Sequence, residues 1–234
     1  MFVTLNYHII NRAISDKIAI AEEAFEQQLA YLHEHGYTTL SLAQAIADID
    51  GVQPAPPRSL LLTFDDGYAD NAHVALPLLQ AYDMRATLFI ITGYTGQSNR
   101  WNTRACYDVR HMTWDEVRHW HESGGDLGGH SHLHHCMTRL NSDELQETVL
   151  LNKRLIEQET GITPRAFAYP YGRFKQAVIE VVRQHYELAF ATDGGAWNAS
   201  ARRYAINRLT VSPMWSIEDF ASQLQATRAL ESTD

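Results

Sequence analysis

Asp65 and Asp66 stand side by side where the apolar run 60–64 ends, in Thr63-Phe64-Asp65-Asp66-Gly67. Two adjacent charges at such a place are costly unless something uses them. Successive strand residues point to opposite sides, yet a chain leaving at Gly67 can turn both carboxylates toward one point. One can then hold a cation while its unligated neighbour accepts a proton. A turn or helix N-cap built on Asp-Asp-Gly is the plain alternative. A second cluster, Gly129-His130-Ser131-His132-Leu133-His134-His135, sets imidazoles at i and i+4. His130 and His134 can converge on one ion as two ligands of a tetrahedral or octahedral site. The run lacks the Glu of a His-Glu-x-x-His metalloprotease helix, so the base must come from elsewhere, with Asp65 the candidate. His132 and His135 face away from the pair and read as bystanders. The third cluster is Phe167-Ala168-Tyr169-Pro170-Tyr171-Gly172. Its aromatic faces suit a sugar, and a Pro–Gly turn can leave a backbone N–H for an oxyanion. A turn over core aromatics is the alternative.

Positioning three distant clusters needs a regular framework. Strand-like runs at 2–6, 59–64, 86–92, 126–129, 165–169, 188–191 and 205–211 alternate with helical segments. The helices fall at 21–36, 70–82, 113–123, 141–160, 174–185 and from about 216 onward; Asn141 with Glu144 forms a capping box for the longest. This β-then-α rhythm predicts a parallel sheet, and about seven units predict a barrel. Each cluster follows a strand, so all fall at the strands' C-terminal ends, where barrel active sites lie. A proline-rich stretch at 53–58 is the one linker-like segment, and no repeat is visible. The chain is therefore expected to be one domain, 1–234.

Composition narrows the partners. The 234 residues are 45% hydrophobic and 20% charged, enough for a full core. A net charge of −9 without any basic run excludes a nucleic-acid binder, which needs clustered Lys and Arg. Two cysteines, Cys106 and Cys136, are too few for a disulfide framework. The start carries neither the basic segment nor the apolar stretch of a signal peptide, and no run reaches the roughly 20 apolar residues of a membrane span. The expected compartment is the cytoplasm, or the periplasm or exterior if a leader was removed.

Taken in order and spacing, Thr-Phe-Asp-Asp-Gly, His-Ser-x-x-His and Phe-Ala-Tyr-Pro-Tyr-Gly resemble the polysaccharide deacetylase family. It is also known as the NodB-homology or carbohydrate esterase 4 family. Leu5-Asn6-Tyr7-His8, with Phe25, Leu29, Leu32 and Gly36-Tyr37, resembles its circularly permuted branch of poly-N-acetylglucosamine deacetylases. The resemblance implies a distorted (β/α)7-type barrel of mostly parallel strands, permuted so that the first strand takes the last one's place. It implies that Asp66, His130 and His134 bind a divalent metal, Zn²⁺ above all, with Co²⁺, Ni²⁺ and Fe²⁺ also suited to such ligands. Asp65 would be the general base, and the Tyr171 N–H would stabilise the oxyanion. No histidine follows His185, so the general acid of a late Leu-His motif is missing; in the permuted branch the role passes to His8. The implied activity is metal-assisted removal of N-acetyl groups from amino sugars of a polysaccharide or glycoconjugate. The ion polarises the acetyl carbonyl and acidifies a water, Asp65 takes that water's proton, and His8 protonates the departing amine.

Several residues depart from the family pattern. Ala168 stands where most members carry an Arg that braces the base, and Arg165 lies three residues too early. Asp193 and Trp197 have the wrong spacing for the family's Asp-Trp motif. Arg208, in Ile206-Asn207-Arg208-Leu209, is expected to take over beside Asp65, an exposed edge arginine being the alternative. With Tyr169 and with Trp101 of the long loop 93–109, Arg208 makes up the expected substrate side. His119, Trp120 and His121 read as a mixed surface face, and Cys136 as a small thiol. Two other functions fit the same residues. One is hydrolysis of another amide, an N-formyl sugar or a cyclic imide; the other is a carbohydrate-binding relative without turnover.

Overall fold

The computed structural model describes residues 2–99, 102, 107–192 and 202–231. The expectations for Trp101, Asp193 and Trp197 fall outside them. In chain order come β1 (Val3–Tyr7), β2 (Ile9–Ile10), β3 (Ala19–Ile20), α1 (Glu22–Glu34), β4 (Thr38–Thr39), α2 (Leu42–Ile49) and β5 (Ser59–Phe64). A π-helical turn, Asn71–Ala75, leads into α3 (Leu76–Ala81), followed by β6 (Thr87–Ile90), α4 (Trp114–Glu122), β7 (Asp126–Gly129) and α5 (Ser142–Thr160). The chain continues through β8 (Ala166–Ala168), α6 (Gln176–Val182), β9 (Leu188–Phe190), β10 (Leu209–Thr210) and α7 (Ile217–Glu231).

The main sheet runs β10-β1-β5-β6-β7-β8-β9, with β4 beside β5, and every pairing is parallel. It curls into a distorted (β/α) barrel. At the seam, a bridge between Phe190 and Ile206 brings the segment entering β10 against β9. β1 lies between β10 and β5, and its register with β5 extends from Val3–Leu60 to Tyr7–Phe64.

Both sides of β5 are covered, which is why Ser-Leu-Leu-Leu-Thr-Phe reads as an unbroken buried run rather than an alternating one. Leu60, Leu62 and Phe64 pack in the core beneath the helices, while Leu61 joins Phe89, Phe190, Ala166 and Ala168 in a second cluster. Trp120 belongs to the first: it is fully buried and edge-on to Phe64 with centroids 5.8 Å apart. Its expected place on a surface face is thereby corrected, because α4 turns this ring inward.

Capping explains the helix limits. Asn141 and Glu144 form the expected reciprocal box at the start of α5, and Gly161, at φ 74°, ends it. α2 has no counterpart among the expected helices, although Ser41 with Gln44 is the same signal. The expected strand at 205–211 narrows to Leu209–Thr210, since the Arg208 N–H donates to Asn207 Oδ1 instead of a ladder partner. Among the described residues no helix is long and apolar enough to cross a membrane.

Candidate active site

Because the strands are parallel, the residues that follow them gather at one end of the barrel. His8 follows β1, Asp65 and Asp66 follow β5, His130 follows β7 and Tyr169–Tyr171 follow β8. Asp66 Oδ1 lies 3.3 Å from His130 Nε2 and 3.4 Å from His134 Nε2. One ligand atom from each of the three lies within 4.8 Å of the other two, and all three residues are buried. Local backbone makes this convergence possible. Asp66 (φ 70°), Ser131 (φ 63°), His134 (φ 55°) and Tyr171 (φ 61°) occupy the left-handed region. They are four of the six non-glycine residues that do so among the described residues. Such conformations cost of order 1 kcal/mol or more each and persist where the surroundings impose them.

The donor set fits a divalent cation. Asp66 Oδ1 is buried and meets no donor in hydrogen-bonding geometry among the described residues, although two imidazole nitrogens face it. His130 Nδ1 lies 2.7 Å from Ala168 O, an atom that only accepts, so Nδ1 carries the proton and Nε2 presents its lone pair toward Asp66. With metal–ligand bonds of about 2.0–2.1 Å, tetrahedral ligands lie about 3.3 Å apart, close to the separations found. Burial, then the other imidazoles, pull the His134 pKa down to about 3 against the pull of the carboxylates. For His130 burial also acts downward, but Asp65 and Asp66 outweigh it and the pKa rises. Burial pushes the Asp66 carboxyl upward, but His134, His130 and His8 together hold it well below the usual range.

Asp65 is held by different means. Arg208 donates from Nη1 to Oδ1 and from Nη2 to Oδ2, each at 2.7 Å, a bidentate ion pair in which both side chains are buried. The same guanidinium donates to Ala191 O at 3.2 Å and Thr63 Oγ1 at 3.2 Å, and lies over the Phe89 ring at 5.5 Å. Burial alone would raise the Asp65 pKa; Arg208 and His130 reverse this and lower it. His8 Nε2 is 3.9 Å from Asp65 Oδ2, and its side chain is 16% exposed. Burial lowers its pKa, more than the two aspartates raise it. Arg208 therefore lies beside Asp65, not at an exposed edge, while position 168 carries Ala.

Tyr171 lies over His134, with centroids 4.5 Å apart, and keeps 52% of its surface exposed. Tyr169, expected at a sugar platform, is instead fully enclosed: its hydroxyl donates to Tyr204 O at 2.8 Å and its ring stacks on Phe174. The exposed aromatic of that motif is Tyr171. His132, read as a bystander, is a structural link, with Nδ1 3.0 Å from Thr92 Oγ1 and its carbonyl accepting from the Gly93 N–H. Sequence reasoning missed His111, whose buried Nδ1 lies 2.9 Å from the Asp66 carbonyl and so tethers the left-handed turn. It also missed Asn152, on the inner face of α5.

Comparison with known proteins points the same way. The polysaccharide deacetylase family model matches residues 52–187. YxkH of Bacillus subtilis (strain 168), whose name places it in that family, is 26% identical over 225 residues, covering 96% of this chain and 76% of that protein. The poly-beta-1,6-N-acetyl-D-glucosamine N-deacetylase of Escherichia coli (strain K12) is 23% identical over 258 residues. That match covers 95% of this chain but 38% of the relative, so the chain spans little more than a third of it. Among solved structures, the Streptococcus pyogenes deacetylase PplD superposes with a TM-score of 0.82 at 24% identity, covering 95% of this chain and 97% of the other. At that identity the likeness concerns the fold.

Proposed function

We propose that this chain, which belongs to the polysaccharide deacetylase family, removes N-acetyl groups from amino sugars by metal-assisted hydrolysis. In this reading Asp66, His130 and His134 hold the metal. The observation that carries it is the pairing of two neighbouring carboxylates with opposite partners. Asp66 Oδ1 faces the Nε2 atoms of His130 and His134, while both oxygens of Asp65 are engaged by Arg208. A divalent cation at the three ligands, Zn²⁺ by the chemistry of the donor set, would supply Lewis-acid polarisation of the acetyl carbonyl and a more acidic water.

The protein's own groups do the rest. Arg208 keeps Asp65 ionised and aimed, so it can take a proton from water as general base. Burial keeps His8 from holding a proton by default, and its place 3.9 Å from Asp65 lets the proton that Asp65 gains pass across to the departing amine. Tyr171 supports the reading from the far side: its ring covers His134 and leaves an exposed aromatic face for a pyranose, while its backbone N–H is assigned to the oxyanion. The curated N-deacetylase of Escherichia coli supports poly-β-1,6-linked N-acetylglucosamine as the substrate class.

The test is acetate release from N-acetylglucosamine oligomers, with formate release from N-formylated analogues as the discriminating arm. Acetate should appear, stop on chelation and return on adding Zn²⁺. Turnover that survives full chelation, or formate release exceeding acetate release, would overturn the reading.

A further inference from the structure

α5 grips a single peptide unit inside the histidine turn. The Ser131 carbonyl accepts from Asn152 Nδ2 at 2.7 Å, and the His132 N–H, the other end of the same peptide, donates to Thr148 Oγ1 at 3.1 Å. Thr148 and Asn152 are four residues apart and so share one face of the helix. Asn152 is fully buried and saturated: Nδ2 also donates to Ile90 O at 2.9 Å, with Thr92 Oγ1 at 3.2 Å, and Oδ1 accepts from the Tyr186 hydroxyl at 3.2 Å. A side chain at Gly129, immediately before His130, would collide with Asn152 Oδ1 and the Tyr186 hydroxyl, so only glycine lets α5 approach this closely. The gripped peptide leaves Ser131 in its left-handed conformation, from which Ser131 Oγ accepts the His134 N–H at 3.0 Å.

We infer that Thr148 and Asn152 are positioning residues that preset the separation of His130 and His134 before any metal arrives. This rests on the metal reading of the site above. Neither side chain touches the ligand atoms; they act by fixing the turn that carries both imidazoles. Outer groups that orient metal ligands are commonly worth 10–100-fold in affinity or activity, and a pre-ordered turn avoids an ordering cost on binding.

The experiment measures Zn²⁺ dissociation constants by chelator competition, together with the visible spectrum of the Co²⁺-loaded protein. Asn152→Leu is expected to weaken Zn²⁺ by about 10–100-fold and to alter the Co²⁺ bands. Thr148→Val, which loses one neutral hydrogen bond, should weaken it about fivefold. Ile156→Ala, a buried truncation one turn along the same helix, lowers the melting temperature but should leave both readings within about twofold, because its effect is on general stability. A folded Asn152→Leu variant with wild-type affinity and spectrum, or Ile156→Ala matching its loss, overturns the inference. Should Asn152→Leu fail to fold, hydrogen exchange on the metal-free wild type decides. The Asn152 side-chain amide and the His132 N–H should be strongly protected, and rapid exchange at either overturns the clamp. A wild type that binds no Zn²⁺ while these amides stay protected overturns the metal reading instead.

Discussion

Asp65 and Asp66 are covalent neighbours, yet they belong to two differently built regions. Asp66 faces the turns after β7 and β8, where His130, His134 and Tyr171 are held by left-handed backbone and by bonds to carbonyls and helix side chains. Asp65 faces the seam, where β9, β10 and β1 meet through short pairings and where Arg208 and His8 arrive from opposite ends of the chain. The turn side is backbone-built and has little room to adjust. The seam side is built from one buried ion pair, so its geometry depends on a single side chain. Removing one partner of such a pair commonly costs about 3–5 kcal/mol, since the other charge is left buried.

The contrast can be broken at either aspartate, and the largest effect is expected at Asp65. Asp65→Asn keeps the shape and removes the base, so kcat should fall about 10²–10⁴-fold. Steady-state acetate release measures this, and a loss below tenfold would mean that the seam side contributes little to the chemistry. Arg208→Lys comes next. Lysine cannot reproduce the two-pronged contact, so kcat/KM should drop about tenfold, the worth of roughly one charge-assisted hydrogen bond. Its pH profile carries the sharper information. Arg208 holds the Asp65 pKa down, and a base works only when ionised. Weakening that contact raises the pKa, so the acid limb of the rate profile should move to higher pH. A limb that stays in place, or moves lower, contradicts the assignment.

The smallest effect concerns the support beneath the seam. Asn71 Nδ2 donates to the His8 carbonyl at 2.7 Å and to Asp70 Oδ1 at 3.0 Å. Burial pushes the Asp70 pKa from 3.8 up to about 7. The folded state therefore holds this proton more tightly than the unfolded chain does. The resulting stability is complete below about pH 4 and is lost as pH rises through about 7. Asp70→Asn should remove this part of the pH dependence, so the difference in melting temperature between variant and wild type should grow in the variant's favour between pH 4 and pH 7. A pH-independent difference would show that Asp70 is not protonated in the fold.

The same two regions differ in how far they can be read from sequence. On the turn side each ligand lies within a short motif after a strand: Asp66 beside Gly67, and His130 and His134 four apart. The alternation of strands and helices then places these motifs at one end of the barrel. On the seam side Arg208 and Asp65 are 143 residues apart along the chain. Arg208 was legible only through a gap, the Ala168 that stands where an arginine is usual. Tyr169 and Tyr171 could not be told apart, because the left-handed turn at Tyr171, and not residue type, decides which ring is exposed. The clamp from α5 did leave a trace. Leu145, Val149, Asn152 and Ile156 follow the helical repeat of a buried stripe, and an asparagine in that stripe must find partners inside. Their identity depends on which backbone the helix crosses, which spacing along the chain does not encode.

Metal titration of Asp65→Asn and Asp66→Asn side by side tests the division of labour between the two carboxylates most directly. Asp65→Asn should take up one Zn²⁺ per chain with an affinity within about tenfold of wild type, whereas Asp66→Asn should lose more than about 100-fold, beyond the range of outer-group effects. Equal losses in both variants, or an Asp66→Asn protein that still binds one Zn²⁺ tightly, would contradict the account.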